Sequence, residues 1–214
     1  TTRRDIETVL GRLTTDRAGV EALLVSPDLV EESSLFAEEH GVAALLPFLK
    51  HSLPDTPVIV IAISIRAERA DWDRMVAALT PLVSPRTLVV QSTDYSHYLT
   101  HETSIARDQE TLNVVSANNI EAVTGLVSSD HMDSRAAQYI QMRLQTARGG
   151  RATVVANRNS AEYVPGATRT TSYVVSVYSP ERAAFPLSDA DQEVVVFAGD
   201  LFAGRYLTKP LADP

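Results

Sequence analysis

The 214-residue sequence contains no cysteine, which excludes disulfides, thiolate metal sites and a cysteine nucleophile. Positive charge is also scarce, because 19 lysines and arginines stand against 27 acidic residues and leave a net charge of −8. An acidic chain repels a phosphate backbone, so we expect no nucleic acid partner. No apolar run approaches the roughly eighteen residues of a membrane span. With five histidines and many carboxylates, any metal must be bound by nitrogen and oxygen.

Several enzyme classes lack their local sequence signals. The chain has no glycine-rich phosphate loop, no G-x-S-x-G elbow and no H-E-x-x-H motif. The sequence therefore gives no support for a nucleotide-binding enzyme or a serine hydrolase. Its polar opening residues are followed by no apolar stretch, so no signal peptide is visible.

Helical and strand patterns alternate along the chain. Apolar spacing and capping residues predict helices around Leu23, at 35–53 with a break at Pro47, around Met75, around Leu112, at 119–127 and up to Gly149. Runs of β-branched residues predict strands at 58–63, 87–92, 152–156, 172–178 and 193–198, the first two covered on both faces. This alternation predicts an α/β fold, with an αβα sandwich around a mostly parallel or mixed sheet.

A polar loop at residues 93–102 directly follows the second predicted strand. In open α/β sheets, ligands bind in the crevice beyond the strand ends. Asp94 and His97 on this loop could serve as an orienting carboxylate and as an imidazole acid/base or metal ligand. In the alternative interpretation, Asp94 caps a turn and His97 lies half-buried against Tyr95 and Tyr98.

Two other polar segments are candidates for the same crevice. Glu39 and His40 open the kinked helix, where a glutamate also suits a helix start. Asp133 is most simply a helix N-cap, with Ser134 as the other candidate cap. Arg135 would then lie in the first turn, where its charge opposes the helix dipole and indicates an anionic partner. A structural role and a ligand-binding role stay open for both segments.

Two motifs, taken in order, resemble the Memo family, also known as AmmeMemoRadiSam system protein B. Residues 39–48, Glu-His-Gly-Val-Ala-Ala-Leu-Leu-Pro-Phe, resemble its Glu-His-Ser…Leu-Pro-Tyr/Phe signature. Residues 92–98, Ser-Thr-Asp-Tyr-Ser-His-Tyr, resemble its Ser-Ser-Asp-Phe-x-His motif. Residues 5–16 are similar to the segment that precedes the first motif. The resemblance covers residues 5–178.

The resemblance implies a fold like that of class III extradiol dioxygenases (LigB-like), incomplete in this chain, with a non-haem iron or copper site. His97 matches the site histidine and Asp94 its neighbouring carboxylate, which implies catalytic roles for both. Asp133 stands where the family pattern Cys-Gly-Arg has its cysteine, which implies that His97 and Asp133 are metal ligands. The residues that the resemblance implies for substrate binding are Glu39, His40, Tyr95 and Arg135.

The chain also departs from the family pattern. Ala43 and Leu45 stand where the family has a glutamate and a second histidine, and its two N-terminal histidine motifs are absent. We therefore expect a Memo-like domain at 1–178 that lacks its N-terminal third, followed by a linker at 179–192. Residues 193–214 resemble the start of a CapA-like capsule-synthesis metallophosphoesterase domain.

Two functions follow from these observations as hypotheses. In the first, the full-length protein is a metal-binding oxidoreductase of the dioxygenase type, and this fragment is inactive. In the second, the chain is a non-catalytic module that binds a peptide or small anion and keeps a vestigial metal site. We expect a small-molecule or peptide ligand and possible homo-oligomers. The resemblance favours a cytoplasmic location, and export would require a signal in the missing N-terminal part.

Overall fold

The computed structural model describes residues 1–37 and 39–180. Its α-helices are α1 (Arg17–Leu24), α2 (His40–Ala43), α3 (Leu46–Ser52), α4 (Arg69–Leu79), α5 (His101–Ser116) and α6 (Arg135–Thr146). Its strands are β1 (Ile6–Thr8), β2 (Gly11–Leu13), β3 (His97–Leu99), β4 (Gly150–Asn159) and β5 (Thr170–Pro180). Short 3₁₀ helices lie at Leu35–Ala37, Thr80–Leu82, Glu121–Gly125 and Ser160–Glu162.

The helices begin where local capping chemistry allows. The Asp16 side chain accepts the Gly19 N–H at 3.0 Å before α1, and the Ser134 hydroxyl accepts the Ala137 N–H at 3.1 Å before α6. Pro47 lies in the first turn of α3, where its missing N–H costs nothing. The alternative cap Ser134 and the predicted break at Pro47 are therefore confirmed, whereas Asp133 is not the cap of α6.

The strands form two small sheets. β1 pairs with β2, and the second sheet has the order β3-β5-β4. The mixed α/β class is confirmed, but every pairing between these strands is antiparallel, whereas a mostly parallel or mixed sheet was expected. The long β4–β5 pair dominates the second sheet and runs from Gly150↔Pro180 to Asn159↔Ser172.

The apolar segments 58–63 and 87–92 are not strands, so these two predictions are wrong. Within the described residues their only ladder contact is a single parallel bridge between Thr15 and Val58. Ile59, Ile61 and Val89 nevertheless pack against the main core. Side-chain burial thus keeps these segments against the helices, while a strand also requires a neighbouring backbone at hydrogen-bonding distance. The predicted strand at 193–198 lies outside the described residues.

The main core lies between α4 and α6. Trp72 and Met75 on α4 meet Tyr139 and Met142 on α6, and all four side chains are buried. The polar atoms of this core are satisfied as well, because Trp72 Nε1 donates to the Ala67 carbonyl at 3.0 Å. α6 also packs against β4, and α5 packs against β4 and β5. The three-stranded sheet therefore has helices against it.

The helix predicted at 119–127 is shorter than expected. Asn119 Oδ1 accepts the Ala122 N–H at 3.2 Å, as a helix start requires, but only the 3₁₀ turn Glu121–Gly125 follows. After this turn the chain continues into the loop 127–134. At the other end of the described residues, β5 runs to Pro180. The rest of the predicted linker and the segment 193–214 lie outside the part that the structure describes.

Candidate functional site

His97 and Asp133 meet side chain to side chain. His97 Nε2 lies 3.0 Å from Asp133 Oδ1, which is hydrogen-bonding distance. The His97 side chain is 10% exposed, whereas the Asp133 side chain is 49% exposed. Nδ1 of His97 is buried and has no hydrogen-bond partner among the described residues. The ring therefore makes its polar contact through Nε2, on the side where Asp133 opens to solvent.

Antiparallel pairing with β5 fixes the position of His97. The Tyr95 N–H donates to the Ser172 carbonyl at 3.0 Å, and the Ser172 N–H donates to the Ser96 carbonyl at 2.7 Å. His97 itself is opposite Thr171. His97 thus begins a strand and is buried, whereas the sequence predicted a loop position at the mouth of a crevice. The strand forms because residues 95–97 find a hydrogen-bonding partner in β5, which is distant in sequence.

The loop 127–134 brings Asp133 to the imidazole. The Asp133 N–H donates to the Asp94 carbonyl at 2.9 Å, and the Ser134 N–H donates to Thr93 Oγ1 at 3.0 Å. The His97 N–H in turn donates to the carbonyl of Ser129 at 3.0 Å. These bonds join both ends of the loop to the segment 93–97. The contact between His97 and Asp133 is therefore supported by backbone hydrogen bonds on both sides.

A second histidine–carboxylate pair anchors the same loop. His131 Nε2 lies 2.7 Å from Glu110 Oε2, and His131 Nδ1 accepts the Val127 N–H at 3.0 Å. Because Nδ1 accepts, the proton is on Nε2 and is donated to Glu110. This hydrogen bond, assisted by Arg107, lowers the pKa of Glu110 below its ordinary value. The sequence analysis missed Glu110, because no local pattern connects a residue of α5 with the loop.

Tyr98 adopts an unusual backbone conformation next to His97. Its φ of 58° lies in the left-handed region, which is rare for a residue with a side chain. The β3–β5 register is irregular between His97 and Leu99, as in a β-bulge. The exposed Tyr98 ring lies 4.6 Å from the His97 ring, centroid to centroid. The bulge thus places the Tyr98 ring against the imidazole. The alternative interpretation of His97 predicted this contact together with one to Tyr95.

The buried face of α5 is more polar than the sequence predicted. The apolar spacing of Ile105, Leu112 and Val115 predicts one apolar face for this helix; Val115 is fully buried, but Ile105 is exposed. The buried residues of this helix are Ser104, Asp108, Thr111 and Val115. They follow one another at steps of four, three and four residues, which is the spacing of one helix face. This spacing was the sequence signal that could have indicated the buried polar face.

Glu39 and His40 lie at the start of α2. Both carboxylate oxygens of Glu39 accept backbone N–H groups, from Gly41 at 2.8 Å and from Val42 at 2.7 Å. The side chain of Glu39 is thus a helix cap, and His40 is exposed. Ser92 Oγ donates to the Gly41 carbonyl at 2.6 Å, which holds this helix beside the segment that leads to Asp94.

Arg135 and Tyr95 have structural contacts. Arg135 Nη1 donates to the carbonyls of Thr124 and Leu126, at 3.0 and 2.9 Å. The two carbonyl oxygens balance the positive charge of Arg135 in the first turn of α6. The sequence predicted an anionic partner for this charge. Tyr95 is buried, and its hydroxyl donates to Gln138 Oε1 at 2.9 Å. Burial raises the pKa of this hydroxyl. Both side chains therefore have hydrogen-bond partners within the protein, and the substrate contacts that the resemblance implied stay a prediction.

The His97–Asp133 pair provides two donors for a metal ion. Two ligands at right angles, each about 2.1 Å from an ion, are separated by about 3.0 Å. The observed 3.0 Å between Nε2 and Oδ1 suits two adjacent ligand positions. Among residues 1–37 and 39–180, however, no group of three or more histidine, aspartate and glutamate side chains is placed to hold a metal.

Fold and site together define a mixed α/β protein with a histidine–aspartate pair where a strand and a loop meet. A family model described as Memo-like protein matches residues 1–178, so the chain belongs to the Memo-like family. A MEMO1 family protein of Thermotoga neapolitana is 31% identical over 104 residues, which are 48% of this chain and 38% of that relative. A MEMO1 family protein of Thermotoga maritima is 28% identical over 105 residues, again 48% of this chain and 38% of the relative.

The matched part spans well under half the length of these relatives. Family membership is thus established for residues 1–178, and the activity of a full-length protein is a matter for proposal. No helix in the described part of the chain is both long and apolar enough to cross a bilayer.

Proposed function

We propose that this chain carries part of the non-haem metal site of a Memo-like oxidoreductase, with His97 and Asp133 as two adjacent ligands. The 3.0 Å contact between their side chains carries the proposal. An iron or copper ion would supply a Lewis-acid and redox centre for oxygen chemistry at this position. The remaining ligands would come from parts of the full-length protein outside residues 1–180.

The arrangement of the two side chains supports this proposal. An imidazole and a carboxylate are both common ligands of non-haem iron, and imidazole also suits copper. The half-exposed Asp133 leaves an approach from solvent, whereas His97 is held by β5 and by the loop. Asp133 also keeps its own backbone N–H bonded to Asp94, so the carboxylate is positioned by the chain before any ion binds.

Copper titration of the 214-residue chain tests the proposal. We expect Cu²⁺ to bind with a nitrogen hyperfine signal in electron paramagnetic resonance, and His97→Ala to abolish this signal. Asp133→Asn should weaken binding by about tenfold or more, because the amide is a poorer ligand. His51→Ala is the matched control, since His51 is an exposed histidine on α3. Equal Cu²⁺ binding by the wild type and His97→Ala would overturn the proposal.

A ligand-binding module without metal is the second candidate function. Inorganic phosphate that binds in the presence of a chelator and depends on His97 would support this function over the first. The first function also predicts no dioxygenase turnover of a catechol by the 214 residues alone, because the ligand set is open. Turnover by this chain would contradict that prediction.

A further inference from the structure

We propose that Asp108 is a positioning residue for His97. It lies on α5, it is 4% exposed, and it receives a side-chain hydrogen bond from a residue in or next to each strand of the three-stranded sheet. The inference rests on the proposed role of His97 as a ligand, and it explains how the buried sheet sets the position of that ring.

Three donors meet the carboxylate of Asp108. Ser96 Oγ, immediately before β3, donates to Oδ1 at 2.6 Å. Ser172 Oγ on β5 donates to Oδ2, and Asn157 Nδ2 on β4 donates to the same oxygen at 3.2 Å. Burying a carboxylate is costly unless hydrogen bonds satisfy it, and these donors do so. A single side chain of α5 thus joins the three strands.

A second set of polar side chains supports this cluster. Ser104, one turn before Asp108 on α5, has its hydroxyl 2.6 Å from that of Ser96. Asn159 Nδ2 donates to Ser104 Oγ at 2.9 Å. Ser96 therefore contacts two consecutive turns of α5. In a buried setting such connected bonds fix one arrangement of the strands, because each lost bond leaves a desolvated polar atom.

Asp108 acts on His97 through Ser96. Side chains alternate along a strand, so Ser96 points to α5 while its neighbour His97 points to the other side, toward the loop 127–134. The Ser172 N–H also donates to the Ser96 carbonyl at 2.7 Å. The side chain and the backbone of Ser96 are thus both fixed by hydrogen bonds, and this fixes the position and direction of the adjacent His97 side chain.

The chemistry requires an acceptor at position 108. Ser172 and Asn157 both donate to Oδ2. An asparagine that keeps its amide oxygen next to Ser96 would place its NH₂ group, itself a donor, opposite these two donors. Asp108→Asn is nearly isosteric and therefore removes one acceptor oxygen and the negative charge from the polar cluster without creating a cavity. Val115→Ala is the matched control, because Val115 is fully buried on the same helix and is not part of the polar cluster.

Two measurements on the 214-residue chain test the proposal. Nitrogen-15 spectra of labelled histidine report the proton position of the His97 ring, and titration with Co²⁺ reports its capacity as a ligand. We expect Asp108→Asn to shift or broaden the His97 ring signals and to weaken Co²⁺ binding by about tenfold, as outer residues of metal sites do. We expect Val115→Ala to lower the melting temperature and to leave both readouts unchanged.

The proposal is overturned if Asp108→Asn melts lower, as Val115→Ala does, while the His97 signals stay as in the wild type. If Asp108→Asn does not fold, Ser96→Ala removes the hydrogen bonds that join Ser96 to Asp108 and Ser104 and should shift the same His97 signals. Unchanged signals would again overturn the proposal. A wild type that binds no Co²⁺ would count against the metal site of the proposed function. The ring spectra would still decide the role of Asp108.

Discussion

His97 Nε2 and Asp133 Oδ1 lie 3.0 Å apart although the two residues belong to different elements, the start of β3 and the loop before α6. His97 is held by pairing with β5, and Asp133 by the hydrogen bond from its N–H to Asp94. The relationship therefore depends on the sheet and on the loop together, and changes in either should alter it.

Removing the ring of His131 should loosen the loop that carries Asp133. His131→Ala deletes the acceptor of the Val127 N–H, which we expect to cost about 1–3 kcal/mol of the free energy of unfolding. Urea denaturation measures this loss. His101→Ala, at an exposed histidine, is the control and should change the free energy by less than about 0.5 kcal/mol. Equal stability of both variants would show that His131 does not anchor the loop.

The Glu110–His131 hydrogen bond predicts a stability difference that depends on acid pH. The pKa of Glu110 is lowered in the folded state, chiefly by His131. Its contribution is therefore present above the ordinary glutamate pKa and disappears as the pH falls through the lowered value. The stability difference between wild type and Glu110→Gln should shrink as the pH falls below the ordinary glutamate pKa and through the lowered one. In a His131→Ala background most of this pH dependence should be absent, and its persistence would exclude His131 as the cause.

Tyr178 should make the fold sensitive to alkali. Burial raises its pKa to about 12, whereas the ordinary value is 10.0. The unfolded chain therefore releases the phenolic proton first, and stability falls as the pH rises above 10.0, by about 1.4 kcal/mol near pH 11. Tyr178→Phe should reduce this fall in urea denaturation. Tyr163→Phe, at an exposed tyrosine, should leave the fall as in the wild type. The buried Tyr95 contributes a fall of its own, so Tyr178→Phe should keep part of the effect. A fall in Tyr178→Phe as large as in the wild type would exclude Tyr178 as a cause.

Gly149 should tolerate alanine poorly for reasons of backbone conformation alone. Its φ is +77°, and a Cβ at this position would meet nothing within 4 Å. Gly149→Ala should therefore cost about 1 kcal/mol through strain in the left-handed region. At Gly125 a Cβ would also meet nothing within 4 Å, but the backbone does not have positive φ. Gly125→Ala should be neutral or stabilising by about 0.5 kcal/mol. Thermal melts compare the two, and equal losses would contradict this explanation.

The local features of the fold were predictable because they depend on neighbouring residues. Asp16 and Ser134 cap the helices that follow them, and the break at Pro47 follows from the missing N–H of proline. The two motifs at 39–48 and 92–98 are likewise short stretches of neighbouring residues, and they were sufficient to indicate the family that matches residues 1–178. The predicted strands at 58–63 and 87–92 failed, because an apolar run shows burial and does not show which backbone will pair with it.

Sequence by itself determined the helix starts, the acidic character without thiol chemistry, and the membership of the Memo-like family. Only the tertiary structure decided that His97 faces Asp133, that Glu39 is a helix cap, and that Asp108 is buried among donors from three strands. The physical reason is distance along the chain. Capping and turn chemistry act within a few residues, whereas a side-chain pair or a buried polar cluster exists only after remote segments have packed together.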